Sequence, residues 1–93
     1  MRPPAMSSLP PPPAPVEAIV RVLAPFLGEH MARAAVRTHA EKMGIGGRPP
    51  TPAEVEDLLD RLLTGLIVFV GRPKAERILA DARIAARAAG GRP

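Results

Sequence analysis

Residues 51–71 read TPAEVEDLLDRLLTGLIVFVG, and the reading of this stretch decides the fold. At about 100° per residue, Val55, Leu58, Leu59, Leu62, Leu63, Leu66, Phe69 and Val70 fall in one stripe. That is the pattern of an amphipathic helix. Ile67 lies at the edge of the stripe, and Val68 lies on the other side, among Asp57, Arg61 and Thr64. The start is clearly signed: Thr51 is a candidate N-cap, Pro52 takes the first helical position, and Glu54 completes a capping box. Glu56, Asp57 and Asp60 continue an acidic beginning that the helix dipole favours. Dipole and solvation account for these carboxylates without an acid–base pair or a metal site. Gly65 interrupts at mid-helix.

Residues 66–70, LIVFV, also suit a short buried strand between two glycines. A helix is expected instead, because Leu66, Phe69 and Val70 continue the stripe. An isolated strand would need a partner strand, and only pairing between two copies would supply one.

Downstream, Gly71-Arg72-Pro73 reads as a stop and a restart. The next helical pattern covers residues 73–89, with Ala75, Ile78, Leu79, Ala82, Ala85, Ala86 and Ala89 on one face. Arg83 and Arg87 sit toward its C-terminal end, where the dipole prefers cations. The short connection predicts antiparallel packing of these two helices.

Upstream, Val16, Ile19, Val20, Leu23, Phe26, Leu27, Met31 and Ala34 recur at helical spacing over residues 16–43. Pro25 and Gly28 interrupt this pattern, so one kinked helix or two separate helices are expected. Met43-Gly44-Ile45 suits a glycine cap with an apolar residue behind it. The loop GIGGRPP at residues 44–50 lacks both the Gly-Lys-Ser/Thr ending and the preceding strand of a phosphate loop. No repeat with a period of 20–50 residues is evident.

The expected fold is therefore all-α, a small bundle of three to four helices. Residues 1–15 are expected to be a disordered Pro-rich tail, 16–89 the helical domain, and 90–93 a disordered C-terminus. The run Leu9-Pro10-Pro11-Pro12-Pro13 favours polyproline II, as a spacer or as a docking peptide.

With 93 residues, the chain has room for one thin core. Disulfides, metals and oligomerisation are the usual supports at that size. There is no Cys, and the two His are badly placed to share a metal. His30 and His39 are nine positions apart and face roughly opposite ways on a helix. His30 falls on the apolar stripe and is expected to be tucked in, with His39 exposed. Ser7 and Ser8 lie in the tail, so neither is a positioned nucleophile. No catalytic residue, cofactor, metal or small-molecule substrate is expected. Residues 1–15 have no continuous apolar core for a signal peptide, and no apolar run is long enough for a membrane span. A cytoplasmic protein without membrane contact is the expectation.

The net charge is +4, but Ala, Gly, Pro and Arg make up 48 of the 93 residues, all with G/C-rich codons. A high-GC bacterial genome is the expected source of much of the arginine. Nucleic-acid binding is the competing reading, through Arg72, Lys74, Arg77, Arg83 and Arg87. Those charges are split around the last helix and interleaved with acids rather than gathered into a stripe. Base-stacking residues are scarce, with no Trp, no Tyr and both Phe in apolar stripes.

Residues 22–36, VLAPFLGEHMARAAV, are similar to small helical modules attached to bacterial signalling proteins. The similarity lies in generic helical pattern and carries no functional residue across. The function expected from the residues is a non-catalytic protein–protein interaction module, self-associating through Leu66, Ile67, Val68, Phe69 and Val70. A homo-oligomer or a protein partner follows, in a regulatory or scaffolding role.

Overall fold

The computed structural model describes residues 14–45 and 48–90. The remaining residues, which include most of the expected Pro-rich tail, lie outside that description. Four helices and no strands make up the described residues: α1 (Ala14–Leu27), α2 (Glu29–Lys42), α3 (Pro52–Val70) and α4 (Arg72–Gly90).

The start of α3 forms as its sequence dictates. The Glu54 amide donates to Thr51 Oγ1 at 3.2 Å, and the Thr51 amide donates to Glu54 Oε1 at 2.9 Å. Both halves of a capping box are thus made. Arg48, in the preceding loop, adds two bonds to the Glu54 carboxylate at 2.8 and 2.7 Å. The helix runs unbroken through residues 66–70, so that segment is helical and not a strand.

The end of α2 is equally well specified. The Ile45 amide donates to the Ala40 carbonyl and the Gly44 amide to the Glu41 carbonyl, each at 3.0 Å, the two bonds of a Schellman motif. Ile45 behind it is fully buried.

Both helix pairs are joined by a single glycine in the same conformation. Gly28 separates α1 from α2 and Gly71 separates α3 from α4, with φ of 89° and 88° and ψ of 147° and 158°. Side-chain-bearing residues essentially never occupy that region. The hydrogen bonds match as well. Each glycine amide donates four residues back, to Ala24 and to Ile67, and each glycine carbonyl accepts from four residues on, from Ala32 and Ala75. The flanking residues agree too: Phe26-Leu27-Gly28 then Ala32, and Phe69-Val70-Gly71 then Ala75. Ala32 and Ala75 are both fully buried, and Leu23 and Leu66 are buried one turn before the phenylalanines. The two hairpin turns, 43 residues apart, therefore share one local conformation.

Of the two upstream expectations, one kinked helix or two, two helices form, separated at Gly28 with Pro25 inside α1. The turn resets the helical phase, so the stripe of α1 does not continue into α2. Met31 and Ala34 are exposed, and α2 buries Ala32, Val36 and Ala40 instead. His30 is exposed for the same reason, and His39 is half-buried, with its Nδ1 atom enclosed and unbonded. Both histidines thus reverse their expected positions.

α3 and α4 run antiparallel. Glu56 near the start of α3 bonds Arg83 late in α4, whereas Leu63 shares a shallow hollow with Glu76 early in α4. α1 starts against the end of α4, since a Cβ added to Gly90 would sit 2.5 Å from the Pro15 ring. Pro15, expected in the tail, is thereby a buried residue of α1. Contacts link α1 with α2 and α4, and α3 with α4 and α2. The core between them holds Ile19, Leu23, Val36, Leu58, Leu59 and Ala82, each at most 1% exposed. On α4, Ala89 falls outside the expected buried face, and Ala85 is only half-buried.

Candidate interaction surface

The leucine stripe fixes which side of α3 faces outward. Val55, Leu58, Leu59, Leu62 and Leu66 point into the core. Asp57, Arg61, Thr64, Gly65 and Val68 are left exposed. Val68 is 84% exposed and lies on the side that the helical wheel gives it. Phe69, next to it, is 56% exposed.

Phe69 departs from expectation, because the wheel places it in the buried stripe. It sits two residues before the Gly71 turn, and Phe26 sits two residues before Gly28 and is 44% exposed. In both hairpins the helix ends before another element among the described residues covers that side chain. Leu66 also needs correcting as an interface residue. It is buried against this chain's own core and is not available to a partner. Ile67 and Val70 are half-buried against the same core. The expected five-residue surface thus narrows to Val68 and Phe69, rimmed by Ile67 and Val70.

The five basic residues weighed for nucleic acid separate into two groups. Arg83 Nε donates to both oxygens of Glu56, at 3.0 and 2.8 Å. Arg87 lies 3.7 Å from the same carboxylate. The Arg83 hydrogen bonds, joined by the charges of both arginines, hold the Glu56 carboxyl below its usual range despite partial desolvation. Arg72 lies 3.4 Å from Glu76, one helical turn on. Three of the five cations therefore already face carboxylates. Lys74 and Arg77 make no ion pair among the described residues and are exposed.

Two further features bear on chemistry. A groove of about 550 Å³ opens where the start of α1, the start of α3 and the end of α4 meet, lined by Pro15, Pro50, Ala53, Val55, Ala86 and Gly90. Its polar side chains are Glu56 and Arg87. Among the described residues, no group of three His, Cys, Asp or Glu side chains could hold a metal ion. No helix among them is long and apolar enough to cross a membrane.

Sequence pattern was blind to one exposed residue. Ile84 on α4 is 67% exposed, off the face formed by Ala75, Ile78, Leu79, Ala82 and Ala86. A wheel drawn for α4 places it off that face.

Compared with protein families, with curated proteins and with solved structures, the chain finds no match in any of the three.

Proposed function

We propose that this chain is a non-catalytic helical interaction module that self-associates through the end of α3, with a regulatory or scaffolding role in a bacterial cytoplasm. One observation carries the reading: Val68 and Phe69 stand side by side in solvent at 84% and 56% exposure, on a helix whose opposite stripe is already satisfied. Two adjacent large apolar side chains at a helix end are a natural contact for a partner, and a core this small gains from association. The Pro-rich segment before α1 serves as a linker or a secondary docking peptide.

Val68→Asp tests the reading. The side chain is outside the core, so helicity by circular dichroism stays close to that of the parent protein. Self-association measured by light scattering weakens by at least about tenfold, the effect of losing one buried valine side chain. A variant that associates as tightly as the parent rules out this surface.

A further inference from the structure

We propose that the groove where α1, α3 and α4 meet is filled by the chain's own Pro-rich segment, with residues 9–13, LPPPP, laid across it. This rests on the reading of that segment as a docking peptide and names its target. It is separate from self-association, because the groove borders the start of α3, whereas Val68 and Phe69 stand at its end.

The groove exists because three helix ends meet there with small side chains. Gly90, at the end of α4, lies so near Pro15 that an added Cβ would stand 2.5 Å from the proline ring. That contact joins α4 to the start of α1. Val55 and Ala86 form the floor, at 8% and 3% exposure. Pro52 and Ala53 stand exposed on the α3 side. The volume of about 550 Å³ falls within the roughly 300–1,000 Å³ of clefts that take ligands.

Connectivity selects the occupant. Residues 1–13 lie outside the described part of the chain and join it at Ala14, next to Pro15 in the groove wall. In polyproline II, at about 3.1 Å per residue, residues 9–13 extend about 12 Å. The segment therefore starts beside the groove and is long enough to lie along it. A short tether keeps a segment near its site at an effective concentration on the order of millimolar.

The chemistry of groove and segment agrees. Residues 3–13 carry no charge, and Pro10, Pro11, Pro12 and Pro13 have no N–H to leave unpaired. They present apolar rings and carbonyl oxygens. The groove offers apolar walls and one loosely held donor, Arg87. Its side chain is 74% exposed and lies 3.7 Å from Glu56, whose two oxygens already accept from Arg83. The other N–H groups of Arg87 donate to the segment's carbonyls. None of the lining residues is aromatic, whereas separate Pro-rich peptides are held in aromatic-lined grooves. A free peptide is therefore held weakly here, and the tether makes up the difference. That favours the chain's own segment over a foreign one.

The test is NMR on the full-length protein. Nuclear Overhauser contacts are expected between the Leu9 methyls and the methyls of Ala53 and Ala86, and their absence overturns the proposal. A mixture of labelled and unlabelled chains shows whose segment is bound: the same contacts between different chains put a second copy's segment in the groove and overturn it too. Ala53→Glu places a charge in the groove at an exposed position, and it should abolish the contacts while helicity by circular dichroism and self-association by light scattering stay as in the parent. Contacts that survive this change overturn the proposal, and if the variant fails to fold, the parent's contacts decide alone. A free LPPPP peptide titrated into Leu9→Ser with Pro11→Ser should shift the groove amides with a dissociation constant at least about tenfold lower than in the parent, where the chain's own segment competes. Equal constants mean that the parent's groove is open, against the proposal. Loss of self-association bears on the α3 surface alone, and these contacts bear on the groove alone.

Discussion

The Glu17 carboxylate on α1 accepts one hydrogen bond from each terminal nitrogen of Arg33 on α2, at 2.8 and 3.1 Å. This bidentate pair spans the Gly28 turn and ties the two helices of the first hairpin together. Arg33 also lies 3.3 Å from Glu29, and Glu17 lies 3.7 Å from Arg21. Glu17→Gln removes the charge and leaves Arg33 with Glu29 only. The pair is partly exposed, so solvent screens it, and a loss of about 1 kcal/mol is expected. Urea unfolding followed by circular dichroism reads this directly. An unchanged midpoint would show that the pair does not hold the hairpin.

Acid should weaken the fold through the same class of contact. Hydrogen bonds from Arg33 lower the pKa of Glu17, those from Arg83 lower that of Glu56, and those from Arg48, with the Thr51 amide, bring Glu54 down to about 2. A carboxylate whose folded pKa is depressed stabilises the fold fully above its unfolded value. That stabilisation disappears as pH falls through the folded value. Stability should therefore decline from about pH 5 downward, with the Glu54 contribution still fading near pH 2. Glu54→Gln should give a shallower decline than the parent in denaturation series run across that range. Equal slopes would remove Glu54 from the account.

Substitutions in the core and on the surface should separate widely. Leu58 is fully buried, and Leu58→Ala should cost roughly 2–5 kcal/mol. Val68→Ala, on the exposed face, should change monomer stability by less than about 0.5 kcal/mol. Thermal unfolding at low protein concentration compares the two without interference from association. A large loss at Val68 would mean that its side chain is part of the core.

The two glycines of α3 and its turn should respond in opposite directions. Gly65 sits within the helix with open space around it, so Gly65→Ala should stabilise the monomer by about 0.5–1 kcal/mol. Gly71 has φ of 88°, and Gly71→Ala should cost on the order of 1–3 kcal/mol. Gly28→Ala should behave like Gly71→Ala, because the two turns share one conformation. A neutral result at Gly71 would show that α3 and α4 tolerate another connection.

Local signals were legible in the sequence, and relationships across the chain were not. Thr51, Pro52 and Glu54 announced the start of α3, and Gly44 with Ile45 announced the end of α2, because caps involve neighbours within a few residues. The buried side of α3 followed from periodicity alone, and so did the exposure of Val68. The helical phase failed where one glycine reset it, which misplaced His30, His39, Met31 and Ala34. Phe69 is exposed despite its place in the stripe because a wheel has no ends: it gives direction and not how far neighbouring elements reach. The shared geometry of the Gly28 and Gly71 turns has little sign in the sequence, because the helices around them have only apolar character in common. The partnership of Arg83 with Glu56, 27 positions away, depends on the antiparallel pairing of α3 and α4 and has no local sign.

The role proposed for the exposed end of α3 is to bring copies of this chain together. Sedimentation equilibrium of the parent protein over a series of concentrations tests it most directly. Self-association gives an apparent mass that rises from the 9.8 kDa of one chain toward twice that value as concentration increases. A mass that stays at one chain up to high micromolar concentration would contradict it.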